Sequence, residues 1–219
     1  MAVTKSEKAA AIVAALEEQY PEAVCSLNYA EPYRLLIAVR LAAQCTDERV
    51  NKTTPILFAR YATLSELAKA DAEEVAQIVR PCGLGNTKAR DIVAMCGELI
   101  GRFEGRVPDT MGELLSLTGV GRKTANLILG DVYGKPAVVC DTHCIRITNL
   151  MGLASSKNPD AVERSLREVL PMDKANDFCH RLVLHGRAVC RARSPACREC
   201  RAVSLCDYGR KRDAGVTPK

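Results

Sequence analysis

The 219-residue chain has no tryptophan, three phenylalanines and three histidines, so its 47% hydrophobic content is largely aliphatic. No run approaches the roughly 18 apolar residues of a membrane-spanning helix, and Met1 to Lys8 lacks the charged-then-apolar pattern of a secretory leader. Those absences predict a soluble intracellular protein without membrane association. A large excess of one charge is missing too: Lys and Arg number 31 against 26 Asp and Glu, and the net charge of +5 permits an acidic partner such as nucleic acid without demanding one. The eleven cysteines are odd in number, which argues against a complete disulfide framework in a reducing compartment.

Strand signals are also nearly absent. Only Ala137 to Cys140 reads as extended, and it is too short to need a sheet partner. Helix starts, by contrast, recur. Thr4-x-x-Glu7, Thr63-x-x-Glu66 and Thr110-x-x-Glu113 read as capping boxes, and Asp71, Asn86, Asn158 before Pro159, and Asp173 read as further N-caps. Helices are predicted near 5–19, 32–44, 47–60, 64–69, 72–80, 87–102, 111–117, 122–132, 142–150, 159–169 and 174–189, an all-α chain long enough for one large domain or two small ones. Gly83-Leu-Gly-Asn-Thr-Lys-Ala89 faintly repeats as Gly119-Val-Gly-Arg-Lys-Thr-Ala125, each opening a helix. After Tyr208 the apolar pattern stops, which predicts a disordered tail.

Four cysteines cluster as Cys190-x6-Cys197-x2-Cys200-x5-Cys206. Soft thiolates at this density point to metal, either zinc or an iron-sulfur cluster. Zinc sites more often use two short C-x2-4-C knuckles, and only one short pair is present, so the spacing favours iron and sulfur while leaving zinc open. The loop between the first two cysteines carries Arg191 and Arg193, which either grip phosphates or offset the negative charge of a thiolate-ligated cluster. The seven scattered cysteines read as small buried hydrophobes.

Leu117-Thr-Gly-Val-Gly-Arg-Lys-Thr-Ala-Asn126 is a glycine-framed turn running into a helix, where the backbone N–H groups of Gly119, Val120, Gly121 and Arg122 could converge on a phosphate. An ordinary helix-helix turn has the same form. Lys123 falls in the first turn of the helix, whose positive dipole end disfavours an ammonium and favours the neutral, nucleophilic amine. Asp141 precedes the next helix and reads either as its N-cap or as a catalytic carboxylate, two roles that can coexist.

Taken together these residues resemble the endonuclease III group of the helix-hairpin-helix DNA glycosylases. The resemblance is carried by Ser26-Leu-Asn-Tyr29, Leu35-Leu-Ile-Ala-Val39, Ala43-Gln-Cys-Thr-Asp47, Val50-Asn-Lys52, Gly83-Leu84, Gly119 to Asn126, Asp141-Thr-His143, Leu184-His-Gly-Arg187 and the four clustered cysteines. It implies a bifunctional DNA glycosylase and AP lyase of base excision repair, acting on oxidised pyrimidines in double-stranded DNA as a monomer in the cytoplasm or nucleoid. Lys123 would attack C1′, expel the base and form a Schiff base, Asp141 would assist, and β-elimination would nick the strand. A base inside a duplex is out of reach, so the nucleotide must be extruded and its gap filled. The resemblance assigns that wedge to Gln44 and Leu84, which read without it as a helix-capping amide and a core leucine. It also selects a 4Fe-4S cluster for Cys190, Cys197, Cys200 and Cys206.

The implied architecture is two-lobed: a six-helix barrel over 23–133, a cluster-bearing lobe from 1–22 plus 134–211, and a disordered 212–219, with Lys123 and Asp141 facing each other across a cleft. Thr118 stands where the hairpin commonly has proline, which predicts a looser turn. Ala42 replaces a small polar residue often found near the base pocket, leaving Asp47 and His143 as pocket candidates, with His143 also a candidate DNA contact. Arg40 interrupts an apolar run, either snorkelling or touching DNA. The related glycosylase that removes adenine opposite oxidised guanine is the nearest rival. Lys123 and the short sequence after Cys206 argue against it. A non-catalytic hairpin module is the other alternative.

Overall fold

The computed structural model describes residues 3–213 and is all-helical, with no strand among the described residues. In chain order the α-helices are α1 (Lys5–Gln19), α2 (Pro32–Ala42), α3 (Asp47–Arg60), α4 (Leu64–Ala68), α5 (Ala72–Val79), α6 (Gly85–Phe103), α7 (Met111–Leu115), α8 (Arg122–Asp131), α9 (Thr142–Met151), α10 (Pro159–Arg167), α11 (Ala175–Ala188) and α12 (Asp207–Asp213). Short 3-10 turns at Arg80–Cys82, Met172–Lys174, Cys197–Glu199 and Val203–Leu205 complete the described elements.

Local chemistry accounts for most of the helix starts. Thr4 and Thr63 form complete capping boxes with Glu7 and Glu66, satisfying donors that a helix N-terminus cannot pair internally. Thr110 accepts from Glu113 N–H, but its hydroxyl donates to the Glu113 carboxylate at 2.6 Å, so this cap is only half of the expected box. Asp71 and Asn158 cap as expected, and Thr46 caps α3. Two expected caps are wrong. Asn86 lies inside α6, which starts directly after a left-handed Leu84, and Asp173 sits in the 3-10 turn before α11.

The chain divides into two compact units, Cys25–Gly134 and Met1–Val24 with Lys135–Lys219. In the first, α2 is apolar nearly all round, and Leu35, Leu36, Ile37, Ala38 and Leu41 are fully buried, as a central helix requires. It packs on α3, α6 and α8, while α4 and α5 lie along α6. Each fully buried leucine or isoleucine contributes about 1.5–3 kcal/mol. In the second unit, Ala9, Ile12, Val13 and Leu16 form a helical stripe on α1, which packs on α11; α11 and α12 both pack on α9.

The disorder expected after Tyr208 does not hold as far as Asp213. Residues through Asp213 are helical, because Asp207 at the start of α12 pairs with Lys8 at 2.6 Å and so ties the segment to α1. The remainder of the expected tail, 214–219, lies outside the described residues. Of the seven scattered cysteines, Cys82, Cys96, Cys140, Cys144 and Cys179 are buried as expected, whereas Cys25 and Cys45 are half-buried. No described helix is long and apolar enough to cross a membrane.

Candidate DNA-repair site

The glycine-framed turn is anchored by Leu117 and Val120, both buried, with Val120 N–H donating to Leu117 O at 3.2 Å. Gly119 holds φ +76, and a Cβ there would lie 3.1 Å from Arg40 Cδ and Nε and 3.2 Å from Asp91 Cβ. Glycine is therefore required twice, for conformation and for space. Arg40 neither snorkels to solvent nor stands free. Its guanidinium donates to Asp91 Oδ2 from Nε at 2.7 Å and from Nη2 at 2.5 Å, forming a half-buried ion pair on which the turn rests. The expected loosening at Thr118 does not occur. Its N–H donates to Glu98 Oε2 at 2.8 Å and its hydroxyl to Glu98 Oε1 at 2.6 Å, a two-point hold that uses the N–H a proline would lack. Gly121 is the N-cap of α8, and Arg122 and Lys123, its first two residues, are exposed. The first N–H groups of α8 have no carbonyl one turn back within the helix, which is the arrangement that suits an anion.

Gln44 and Leu84 share an unusual backbone. Both are exposed and left-handed, with φ 57 at Gln44 and 52 at Leu84. Leu84 is 58% exposed, so it is not a core leucine. Asp47, the first residue of α3, accepts from Ser26 Oγ at 2.6 Å, and its carboxylate is thereby tied to the loop before α2.

In the other unit Asp141 is the N-cap of α9, its Oδ1 accepting from Cys144 N–H at 2.7 Å. That bond occupies one carboxylate oxygen and fixes the side chain. His143, the second residue of α9, packs against Gly186 of α11 so closely that a Cβ at Gly186 would collide with the ring nitrogen Nδ1. Arg146, which sequence reasoning missed, lies 3.5 Å from that same nitrogen through Nη2 and donates through Nη1 to Cys190 Sγ at 3.7 Å.

Cys190, Cys197, Cys200 and Cys206 line one partly open cavity whose remaining wall includes Ile147, Leu150, Met151, Val189 and Val203. The loop carrying exposed Arg191 and Arg193 is pinched shut by Ala196 N–H donating to Val189 O at 2.9 Å. Several groups approach the sulfurs: Arg146 at Cys190, Arg212 Nη1 3.8 Å from Cys197, His185 Nε2 3.5 Å from Cys200, and Gly209 N–H 3.4 Å from Cys206. Burial pushes the thiols of Cys190, Cys200 and Cys206 up, that of Cys200 to about 11. Without a bound cation these groups keep their protons, and binding a metal would release them. Burial, with the nearby Arg146 charge, lowers His185 to about 4. Among the described residues no group of three or more His, Cys, Asp or Glu side chains is arranged to hold a single metal ion. Of the arginines near the cysteines in sequence, Arg201 pairs with Glu18 at 2.8 Å, while Arg146 and Arg212, distant from the motif or beyond it, reach the sulfurs.

The chain resembles known proteins along nearly all its length. Residues 37–172 match the HhH-GPD superfamily base excision DNA repair protein model. Endonuclease III of Synechocystis sp. is 43% identical, the match covering 93% of each chain, and endonuclease III of Escherichia coli K12 is 40% identical over 92% of this chain and 96% of that protein. Among solved structures, a trapped endonuclease III–DNA covalent intermediate with an estranged adenine superposes with a TM-score of 0.86 at 38% identity, covering 92% of this chain and 95% of that one. A thermostable thymine-DNA glycosylase superposes with a TM-score of 0.82 at 25% identity, covering 91% and 95%. A glycine-framed turn seated on an ion pair, two left-handed exposed residues and a four-cysteine cavity thus occur in a chain that belongs to the endonuclease III group of the HhH-GPD base excision repair superfamily.

Proposed function

We propose that the chain acts on oxidised pyrimidines in double-stranded DNA, with Lys123 as nucleophile and Asp141 as the assisting carboxylate. The chain is a DNA glycosylase and AP lyase of base excision repair, and the observation that carries this is its likeness to endonuclease III over nine-tenths of its length, including a covalent DNA complex.

In the proposed reaction the Lys123 amine bonds to C1′ as the C1′–N bond to the base breaks, and the base leaves with a proton. The bonded nitrogen then gives up one proton, and its lone pair breaks the C1′–O4′ bond as O4′ takes a proton, which opens the sugar and leaves a protonated Schiff base at C1′. Loss of the C2′ proton then expels the 3′ phosphate oxygen and cuts the strand. The exposure of Lys123 in the first turn of α8 and the fixed carboxylate of Asp141 support these assignments. Gly119, Gly121 and Arg122 hold the backbone phosphate, whereas the Val120 N–H, expected to join them, is spent on Leu117 O and Val120 anchors the turn instead; Gln44 and Leu84 fill the vacated stack, and His143, Arg191 and Arg193 contact DNA. Asp47 is the candidate base-pocket residue, and the protein works as a monomer.

The four cysteines hold a 4Fe-4S cluster. A cavity ringed by four thiols, walled by aliphatic side chains and approached by cationic and N–H donors, supports a thiolate-bound cluster. When bound, the cluster supplies a cross-link that folds the arginine-bearing loop. Protein purified aerobically is expected to be yellow-brown, absorbing near ~410 nm. A colourless protein with one zinc per chain would overturn the cluster and leave Lys123 untouched.

Borohydride is expected to trap the protein on an abasic duplex, and Lys123→Ala to abolish trapping. Unchanged trapping in the variant would defeat the lysine assignment, and failure of the wild type would favour a non-catalytic module. Incubation with thymine glycol, abasic and adenine–8-oxoguanine duplexes tests the lesion class, since base loss confined to the last would favour the adenine glycosylase.

A further inference from the structure

Gln44 and Leu84 both hold a left-handed backbone that non-glycine residues keep only where the surroundings impose it. The structure contains a device that can impose it at both places. Lys88, four residues beyond Leu84 on α6, is 0% exposed and is among the largest fully buried side chains. Its Nζ donates to Leu41 O and to Cys82 O, both at 2.8 Å. Leu41 is in the last turn of α2, three residues before Gln44. Cys82 ends the 3-10 turn two residues before Leu84.

Both acceptors are carbonyls at the ends of helical segments, where no partner lies further along the same segment, and Leu41 O belongs to the negative end of α2. An ammonium satisfies both at once, whereas an apolar side chain of equal size would fill the space and leave both orphaned. The second glycine-framed turn provides a contrast within the same chain. In the repeat register Lys88 corresponds to Thr124, and the residue matching Leu84 there is Val120, which is buried and has no wedge to present. The buried amine therefore accompanies the exposed left-handed residues and is not a requirement of the turn itself.

We propose that Lys88 is a positioning residue for base extrusion: its ammonium clamps the end of α2 to the turn before α6 and so fixes Gln44 and Leu84 for entry into the base stack. The proposal rests on the assignment of those two residues as the wedge, and the experiment separates the two ideas. Full-length protein is mixed with an abasic duplex carrying 2-aminopurine opposite the site, and single-turnover nicking and fluorescence are followed together. Lys88→Met is expected to slow nicking by roughly 10- to 100-fold, as expected for misplaced groups remote from the chemistry, and to abolish the fluorescence rise that reports unstacking. Its affinity for undamaged duplex should stay within about twofold, because the phosphate contacts are intact.

The Gln44→Ala, Leu84→Ala protein should be similarly slow, and adding Lys88→Met to it should change the rate by less than about twofold, the signature of one shared function. A full further drop in the triple variant would show an independent structural role and overturn the clamp. A slow double variant beside a fast Lys88→Met overturns the clamp alone, whereas a fast double variant sinks the wedge assignment and the clamp with it. Should Lys88→Met fail to fold, Lys88→Gln, which retains a donor, carries the same comparison. Loss of helical circular dichroism in both would make Lys88 a determinant of the fold and defeat the positioning role.

Discussion

The two glycine-framed turns, Gly83–Ala89 and Gly119–Ala125, share a sequence frame and put it to opposite uses. In the first, the residue between the glycines points outward: Leu84 is left-handed and 58% exposed. In the second, Val120 is 8% exposed and anchors the turn, leaving backbone as what the turn presents. The lysines are exchanged as well, Lys88 being buried under the first turn and Lys123 exposed in the second. Similar motifs therefore do not imply similar contributions. What each turn offers depends on which side chain its neighbours bury.

Substitutions at matched positions should affect the two turns unequally. The largest difference is expected for the pair Lys123→Ala and Thr87→Ala, which share a register and are both exposed. The first should lower base release by about 10³-fold or more, as loss of a nucleophile does, while the second leaves it within about twofold; melting temperature should barely move in either. Next come the residues between the glycines, where activity and stability should separate. Leu84→Ala is expected to slow duplex nicking by roughly tenfold at a stability cost below about 0.5 kcal/mol, and Val120→Ala to cost about 2 kcal/mol by denaturant titration. Equal stability losses would show that the exposure contrast has no energetic content.

The glycines themselves sharpen the point. Gly83→Ala and Gly119→Ala both meet a positive φ worth about 1–3 kcal/mol, but a Cβ at Gly83 has nothing within 4 Å, whereas at Gly119 it meets Arg40 and Asp91. Gly119→Ala should therefore melt lower and also weaken DNA binding. The smallest effect is expected for Thr118→Pro, which restores the residue common at that position in the family. It removes an N–H and a hydroxyl from Glu98 and should destabilise by about 1 kcal/mol, measured by thermal melts; stabilisation instead would show that the Glu98 hold is dispensable.

The helices were legible in sequence because their signals are local. A threonine and the residue three places on decide a cap, and apolar periodicity decides a face, so α1 to α11 lie close to where the pattern predicts them. Local rules also explain the misses. Asn86 is a good capping residue, but glycine at 83 and a left-handed Leu84 let the helix begin two residues earlier. The tail after Tyr208 lacks an apolar pattern, yet its order comes from the charge pair between Lys8 and Asp207, which are 199 residues apart. The hairpin, Lys123, Asp141 and the four cysteines are candidates that motif and resemblance name, whereas Arg40 and Asp91 under the hairpin and Arg146 beside Cys190 carried no local signal of their partners.

The all-α class, most helix starts, the glycine frames and the grouping of four cysteines were set by residues close together along the chain. Only the tertiary structure decided what Arg40, Lys88 and Arg146 do. Their partners, Asp91, Leu41 and Cys190, lie 51, 47 and 44 residues away, and neither burial nor a charged head group names its partner in advance. The physical reason is the same in each case. A charge inside a protein is tolerated only where packing has already assembled its acceptors, so its role is set by the fold that surrounds it.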